Sequence, residues 1–366
     1  MSRSRILVGM SGGVDSSLSA ALLLEQGYEV VGGFIKNWSD SKDLWTGECE
    51  WRGERRDALR VAAKLGISLL TFDFESAYRD RVLGRMFAEY ERGLTPNPDV
   101  LCNEEIKFGL FFEAAMKAGF DAVATGHYAR VERDQEGTAH LFKGLDPDKD
   151  QSYFLYRLSQ DVLRKVYFPI GHLLKSRVRE EAAKRAIPTA AKPDSQGICF
   201  IGKLDFHEFL RKKIPSVPGE IVSETGEVLG HHDGLDAYTI GQRQGLRLSI
   251  DAKTWYVAAK DKQSHRLIVV DHHDHPRLYH VKALLGDLHW TRDVQKEAEQ
   301  SHWTVEAAIR YRQKPQEARA TLAADRLTLG LQFTEPVWAL APGQSAVLYQ
   351  GDECLGGGVL LDPLSL

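Results

Sequence analysis

The run Ser11-Gly12-Gly13-Val14-Asp15-Ser16-Ser17 follows an apolar stretch, Ile6 to Met10, and leads into Leu18 to Gln26, which Gly27 closes. The apolar stretch reads as a buried parallel strand, and the Ala/Leu-rich segment as a helix with its stop signal. A strand, a tight Ser-Gly-Gly turn and a helix N-terminus together make an anion site. The glycines admit close backbone approach, the hydroxyls donate, and the first-turn amides point at the guest. The spacing is neither the Gly-x-x-x-x-Gly-Lys of a Walker loop nor the glycine fingerprint of a dinucleotide fold. An opening unit of this kind commits the chain to a parallel sheet with its site at the carboxyl ends of the strands.

The signals that follow keep to that plan. Tyr28 to Ile35 reads as a strand, Arg52 to Lys64 as a helix stopped by Gly66, and Ile67 to Phe74 as a strand. A long helix is predicted over 75–91 and a Pro-punctuated loop over Thr95 to Asp99. A helix over Asn103 to Lys117 and a strand over Asp121 to Thr125 complete the series. Alternation of this type predicts a doubly wound α/β domain, set at residues 1–203. From about Leu204 short β-like pieces alternate with turns, which sets a small central domain at 204–275. From Pro276, period-two patterning recurs in His302 to Tyr311, Ala318 to Leu322, Arg326 to Phe333 and Ser345 to Tyr349. That pattern predicts an antiparallel β-barrel over 276–366.

Bulk properties exclude several classes. With 43% hydrophobic and 27% charged residues among 366, the chain is an ordinary globular protein of two or three domains. Its net charge of -4 gives no global attraction to nucleic acid, so any RNA contact is a local patch. Residues 1–5 are too short for a signal n-region and no apolar run approaches the ~20 residues of a membrane span, so a cytoplasmic location is expected. The four cysteines, Cys49, Cys102, Cys199 and Cys354, include no Cys-x-x-Cys pair, which argues against structural zinc.

Cys102 stands just before the predicted helix 103–117, where the dipole would stabilise a thiolate; a buried cysteine at a helix cap reads equally well. Cys199, in the Gly-hinged apolar stretch 194–202, reads on its own as a core residue. Cys49 has acidic neighbours and reads as a bystander, and Cys354, before a Gly356-Gly357-Gly358 turn, as structural. The clusters Asp271 to His275 and His231-His232-Asp233 read as solvent-facing turns, and no resident metal is expected. Basic residues near aromatics at Arg243, Arg247, Lys260, Lys262 and Arg310 to Lys314 suit phosphate contact and base stacking, or else a solvated face.

The Ser-Gly-Gly-x-Asp-Ser loop resembles that of the PP-loop ATP pyrophosphatases. Over nearly the whole length, the chain resembles the bacterial tRNA-specific 2-thiouridylase (MnmA) family. The anchors are residues 9–17, Lys36-Asn37-Trp38, Thr95 to Asp99, Leu101-Cys102-Asn103 and Ala124 to Tyr128. Lys149 to Tyr153, Gly197 to Gly202 and Pro342 to Ser345 complete them.

The resemblance implies an adenine nucleotide alpha hydrolase-like domain and ATP, with Mg²⁺, as co-substrate. The O2 of a wobble uridine, in tRNAs of the Lys, Glu and Gln type, would attack the ATP α-phosphate, and sulfur from a cysteine persulfide would then replace that oxygen. A cysteine desulfurase or sulfur-relay protein would be the donor. Cys199 would carry the persulfide, Cys102 would act as nucleophile and close a disulfide with it, and Asp99 would be the acid/base. Gly9, Met10, Ser11, Gly12, Gly13, Val14, Asp15, Ser16, Ile35 and Gly126 would bind ATP. Asn97, Pro98 and Asp99 would line the uridine, while His127, Lys149, Asp150, Gln151, Tyr311, Arg312 and Gln344 would contact tRNA. Two rivals share parts of this pattern: an amidating PP-loop ATP pyrophosphatase, and an ATP-responsive RNA-binding protein without catalysis. Truncation before Pro276 is expected to leave a folded α/β domain with weakened tRNA binding.

Overall fold

The computed structural model describes residues 3–39, 49–194, 209–210, 213–214, 216–248 and 253–361. In chain order the first unit runs β1 (Arg5–Gly9), α1 (Val14–Glu25), β2 (Glu29–Lys36), α2 (Glu50–Leu65) and β3 (Leu69–Asp73). Helix α3 covers 75–91 and α4 covers 98–117, each widened to π geometry in its middle turns, Tyr78–Leu83 and Asn103–Leu110. Then come β4 (Ala122–Ala124), a hairpin of β5 (Ala129–Arg133) and β6 (Ala139–Lys143), α5 (Gln160–Leu163), β7 (Val166–Tyr167) and α6 (Lys175–Lys184). The parallel sheet has the order β3-β2-β1-β4-β7. Ile6, Leu7 and Val8 of β1 are fully buried because helices cover both faces.

Helix α4 begins five residues earlier than the sequence predicts. Asn97 and Pro98, read above as loop, are its start signal. The Asn97 side-chain oxygen accepts from the amides of Asp99 (3.2 Å) and Val100 (3.3 Å), and Pro98 stands at the first helical position. Cys102 is therefore inside the helix, beyond the first turn where the dipole acts, and the N-terminal position expected for it is corrected.

The central unit is a four-stranded sheet of β8 (Gly219–Ser223), β9 (Val228–His232), β10 (Tyr256–Asp261) and β11 (Arg266–Val270), in the order β10-β11-β8-β9. The last unit comprises β12 (Tyr279–Trp290), β13 (Trp303–Ala308), β14 (Gln316–Leu322), β15 (Leu329–Trp338), β16 (Ser345–Gln350) and β17 (Glu353–Leu360). Their order, β12-β15-β14-β13-β16-β17, is closed by pairing of β12 with β17, giving the expected barrel. Gly356 to Gly358 are not a turn but the interior of β17. A Cβ at Gly357 would meet the Ala346 carbonyl oxygen at 2.2 Å, so only glycine lets the closing strand fit between its neighbours.

The hairpin β5–β6 was not foreseen, and it leaves the first unit to extend the barrel sheet: Leu141 and Phe142 pair with Cys354 and Glu353. One hydrophobic core consequently spans both regions, joining Val100, Phe108, Tyr153 and Leu155 to Ala308, Val347, Tyr349 and Cys354. Arg157 reinforces the seam, binding Glu104 of α4 at 2.7 Å and Asp287 of β12 at 3.1 Å. No helix among the described residues is long and apolar enough to cross a membrane.

Candidate active site

A cleft of about 740 Å³ opens at the carboxyl ends of β1, β2 and β4. Its floor at β1 is the Ser-Gly-Gly turn. Gly12 takes φ +75°, and a Cβ there would strike the Glu54 carbonyl oxygen of α2 at 2.3 Å. The loop hydroxyls hold the turn closed: Ser16 Oγ accepts from the Ser11 amide (3.2 Å), and Ser17 Oγ donates to the Gly13 carbonyl (2.7 Å). Gly126, after β4, packs on the first turn of α1, where a Cβ would lie 2.6 Å from the Ser16 amide nitrogen. The helix N-terminus is thus left facing the cleft, as anion binding requires.

Around this loop the structure assembles charges from distant parts of the chain. Lys175 Nζ lies 2.7 and 2.8 Å from the two Asp15 oxygens and 2.9 Å from Asp194. Tyr128 donates to Asp15 at 2.7 Å, and Lys149 and Arg179 reach Asp194 at 2.8 and 2.7 Å. Burial would raise the Asp194 pKa, but its bonds to Lys149 and Lys175 hold it down to about 2. Lys192 adds a further cation, 3.1 Å from the Gly12 carbonyl and 2.7 Å from Asp57. A phosphate chain entering here would meet ammonium groups whose carboxylate partners keep them in place.

The opposite wall is one row of α4: Asp99, Asn103, Lys107 and Phe111 all line the cleft. In an α-helix four residues overshoot a full turn by ~40°. The wider π turns over Asn103–Leu110 take that drift back and keep the row facing inward. Lys107 Nζ lies 3.4 Å from His127 Nε2, and His127 Nδ1 lies 2.7 Å from Thr125 Oγ1. An ammonium can only donate, so Nε2 accepts and Nδ1 carries the proton to Thr125. Burial first, and then the Lys107 charge, push the His127 pKa well below the usual imidazole range, so the ring stays neutral.

The C-terminal barrel closes the third side. Tyr311 packs on Phe154 with ring centroids 4.3 Å apart, and the Arg312 guanidinium lies 5.2 Å over the Tyr311 ring. Arg312 takes φ +64°, a backbone conformation that non-glycine residues rarely hold and that concentrates at functional sites.

Of the residues singled out in the sequence, Gly9, Met10, Ser11, Gly13, Val14, Asp15, Ser16, Ile35 and Gly126 line the cleft. So do Asp99, His127, Lys149, Gln151, Tyr311 and Arg312. Others have structural occupations. Asn97 caps α4, and Gln344 donates to the Thr95 carbonyl at 2.8 Å, which fastens the segment before α4 to the barrel. Asp150 accepts from the Gly144 and Ser152 amides at 2.8 and 3.1 Å, and burial raises its pKa. Gln151 also accepts from the Tyr128 amide.

Arg310 is not a surface cation: it is largely buried and donates to the Ile240 (2.7 Å) and Ala339 (2.9 Å) carbonyls. Lys260 and Lys262 donate to the Gly93 and Arg92 carbonyls beyond α3, while Arg243 and Arg247 are exposed. His232 and His275 are buried rather than solvent-facing. Among the described residues, no group of three or more His, Cys, Asp or Glu is placed to hold a metal.

Cys102 is fully buried among Leu7, Ile35, Trp38 and Phe111, behind the wall formed by its helix neighbours Asp99 and Asn103. Cys199 lies outside the described residues. Phe154, Lys175 and Asp194 were missed, since each is placed by a contact with no counterpart in local sequence pattern; Lys107 was missed although it continues the four-residue spacing of Asp99 and Asn103 along α4. Asn37 and Trp38 were noted only as part of a motif.

Comparison with known proteins decides the family. Residues 4–203 match a model described as the tRNA methyl transferase HUP domain, and 207–271 the PRC-barrel domain of the same series. Residues 281–360 match an aminomethyltransferase beta-barrel domain. A protein of Methylobacillus flagellatus named tRNA-specific 2-thiouridylase MnmA is 47% identical over 99% of this chain and 100% of its own. Proteins of the same name from Cupriavidus metallidurans (98% of this chain, 100% of theirs) and Ligilactobacillus salivarius (98% and 96%) are 48% and 46% identical. The chain belongs to the tRNA-specific 2-thiouridylase family. Membership accounts for the anchors being spread over all three regions, since the 2-thiouridylase relatives are matched from end to end.

Proposed function

We propose that this enzyme replaces the C2 oxygen of a tRNA uridine with sulfur, in two steps in the cleft. In the first, uridine O2 attacks the ATP α-phosphorus, the bond to the β-phosphate oxygen breaks, and pyrophosphate leaves. In the second, the terminal sulfur of a cysteine persulfide attacks C2 and AMP departs with the original oxygen. The persulfide S–S bond is broken by a second thiol, and the resulting disulfide is returned to thiols by an external reductant. The phosphate loop with Lys175, Lys149 and Lys192 would hold the leaving pyrophosphate. Asp99 would handle the proton at the base, and the neutral His127 would offer hydrogen bonding without charge.

Mg²⁺ arriving with ATP takes most of its ligands from phosphate and water. Asp15, at the loop, is the carboxylate that would hold it, where it would offset charge on the departing pyrophosphate. Cys199 would carry the persulfide and Cys102 would be the second thiol.

One observation carries this reading. The anion loop, Asp99 on the helix that bears Cys102, and the Tyr311–Arg312 pair from the barrel all meet at a single cleft. The family-model descriptions speak of methyl transfer and the relatives' names of thiolation. A pyrophosphate-releasing loop serves thiolation, because a carbonyl oxygen must be activated before sulfur can displace it, and methylation has no such need. The test is incubation with ATP, a persulfide donor and bulk tRNA, followed by nucleoside analysis. Appearance of 2-thiouridine together with pyrophosphate is expected. Pyrophosphate release with ammonia but not sulfur would favour amidation, and tRNA binding with neither product would leave a binding protein.

A further inference from the structure

Strand β2 ends in a polar group that the chemistry above does not use. Gly33, Ile35 and Asn37 alternate along β2 and its exit, and all three line the cleft. Facing them is the α4 row, anchored where the Phe111 ring packs on Gly33; a Cβ at Gly33 would meet that ring at 2.6 Å. Asn37 is 1% exposed. Neither its amide oxygen nor its amide nitrogen has a hydrogen-bond partner among the described residues. The indole nitrogens of Trp38 and Trp51 and the side-chain oxygen of Asn103, on the same cleft, are also buried with no hydrogen-bond partner among the described residues. Buried polar groups are nearly always paired, and leaving one unpaired destabilises the fold. Of the ten such side-chain atoms among the described residues, five belong to residues lining this cleft, a concentration that a bound guest would explain.

The unpaired set contains donors and acceptors but no cation, so it suits a neutral, planar, hydrogen-bonding edge rather than a phosphate. A carboxamide pairs in bidentate fashion with a heterocycle that shows a donor beside an acceptor. We propose that Asn37 reads the edge of a nucleobase, with the Trp38 and Trp51 indoles completing the subsite. Resting on the function proposed above, two bases reach the cleft: the adenine of ATP, through its 6-amino group and a ring nitrogen, and the target uracil, through N3–H and O4.

The test is Asn37→Leu, which keeps volume and removes both unpaired atoms. Its melting temperature should equal or exceed that of the wild type, while one affinity falls tenfold or more. Weaker equilibrium binding of ATP without tRNA assigns the edge to adenine. In that case the wild-type preference for ATP over inosine triphosphate, which lacks the 6-amino group, should vanish in the variant. Unchanged ATP binding with a raised KM for tRNA in pyrophosphate release assigns it to uracil. Affinities for both within twofold of wild type overturn the proposal, as does lost affinity accompanied by a lower melting temperature, the behaviour of a merely structural asparagine. Failure of the wild-type protein to release pyrophosphate with tRNA would instead sink the function proposed above and leave the ATP measurement standing.

Discussion

At Asp15 the loop motif and an ion-pair network from distant parts of the chain meet. The motif places it at the phosphate loop; the structure adds that Lys175, 160 residues away, and Tyr128 hold its carboxylate. Asp15→Ala should abolish pyrophosphate release while tRNA binding persists. Lys175→Met, which leaves two carboxylates at the loop without their shared cation, should lower the release rate by about 10²–10³, the usual effect of losing one preorganised electrostatic contact. Steady-state pyrophosphate assays check both, and a normal rate in either variant would contradict the loop assignment. Lys175 could not be read from sequence because nothing in Lys175–Lys184 distinguishes that lysine from its neighbours; only the packing of α6 against α1 brings it in. The cysteines separate in the same way. Cys102→Ser should lose thiolation yet still release pyrophosphate, since a hydroxyl cannot attack a persulfide. Cys354 is buried in the seam core and its thiol pKa is pushed up by that burial, so the Cys49→Ala/Cys354→Ala double variant should thiolate normally with a slightly lowered melting temperature.

Helix α4 shows how one element serves several purposes. Its Asn-Pro-Asp start was visible in the sequence but read as loop, because proline and asparagine signal turns as strongly as helix starts. The cap and the proposed uridine contact give Asn97 two rival roles, and substitution separates them. If Asn97 acts through the cap, Asn97→Ala should cost about 1 kcal/mol of stability and lower kcat, while Asn97→Ser, another good cap, should restore both. Equal losses in the two variants would assign the side chain to the base itself. The central sheet docks through β10, whose Lys260 donates to the Gly93 carbonyl beyond α3; burial pushes its pKa down to about 8. Below that pH the lysine is protonated both folded and unfolded, and its cost is constant. Between about 8 and the ordinary 10.5, only the unfolded chain binds the proton, so stability rises with pH across that window. Thermal melts of wild type and Lys260→Met from pH 7 to 11 should therefore show the wild type gaining on the variant above pH 8. A difference independent of pH would rule the titration out.

At the scale of the whole molecule, alternation in 302–349 was enough to announce a barrel, because β14, β15 and most of β13 bury one face and wet the other, while β16 is buried on both, between the barrel core and the seam core. What alternation could not announce is which edges meet. The β5–β6 hairpin carries the same period-two signal as any strand pair, yet its partner is β17, more than 200 residues on. That pairing is a reason to expect that the first unit, matched as a domain over 4–203, does not fold without the barrel. Truncation before Pro276 would strip Ala308, Val347, Tyr349 and Cys354 from a shared core and leave β6 an open edge. The fragment should bind hydrophobic dye and melt without cooperativity; a sharp transition near the wild-type temperature would contradict this. Whether the barrel contacts RNA therefore has to be probed by side chain, not by deletion. Arg312 is exposed at the cleft mouth over Tyr311, whereas Arg310 is tied to carbonyls inside. If Arg312 meets a phosphate, Arg312→Ala should weaken tRNA binding for every tRNA alike. It should also make the slope of log affinity against log salt shallower by about one unit. Lys314→Ala gives the comparison for an exposed cation in the same loop that does not line the cleft. Binding isotherms at several salt concentrations decide the matter: a slope unchanged by Arg312→Ala would leave the Tyr311–Arg312 pair as a structural lid on Phe154 rather than a hold on the RNA backbone.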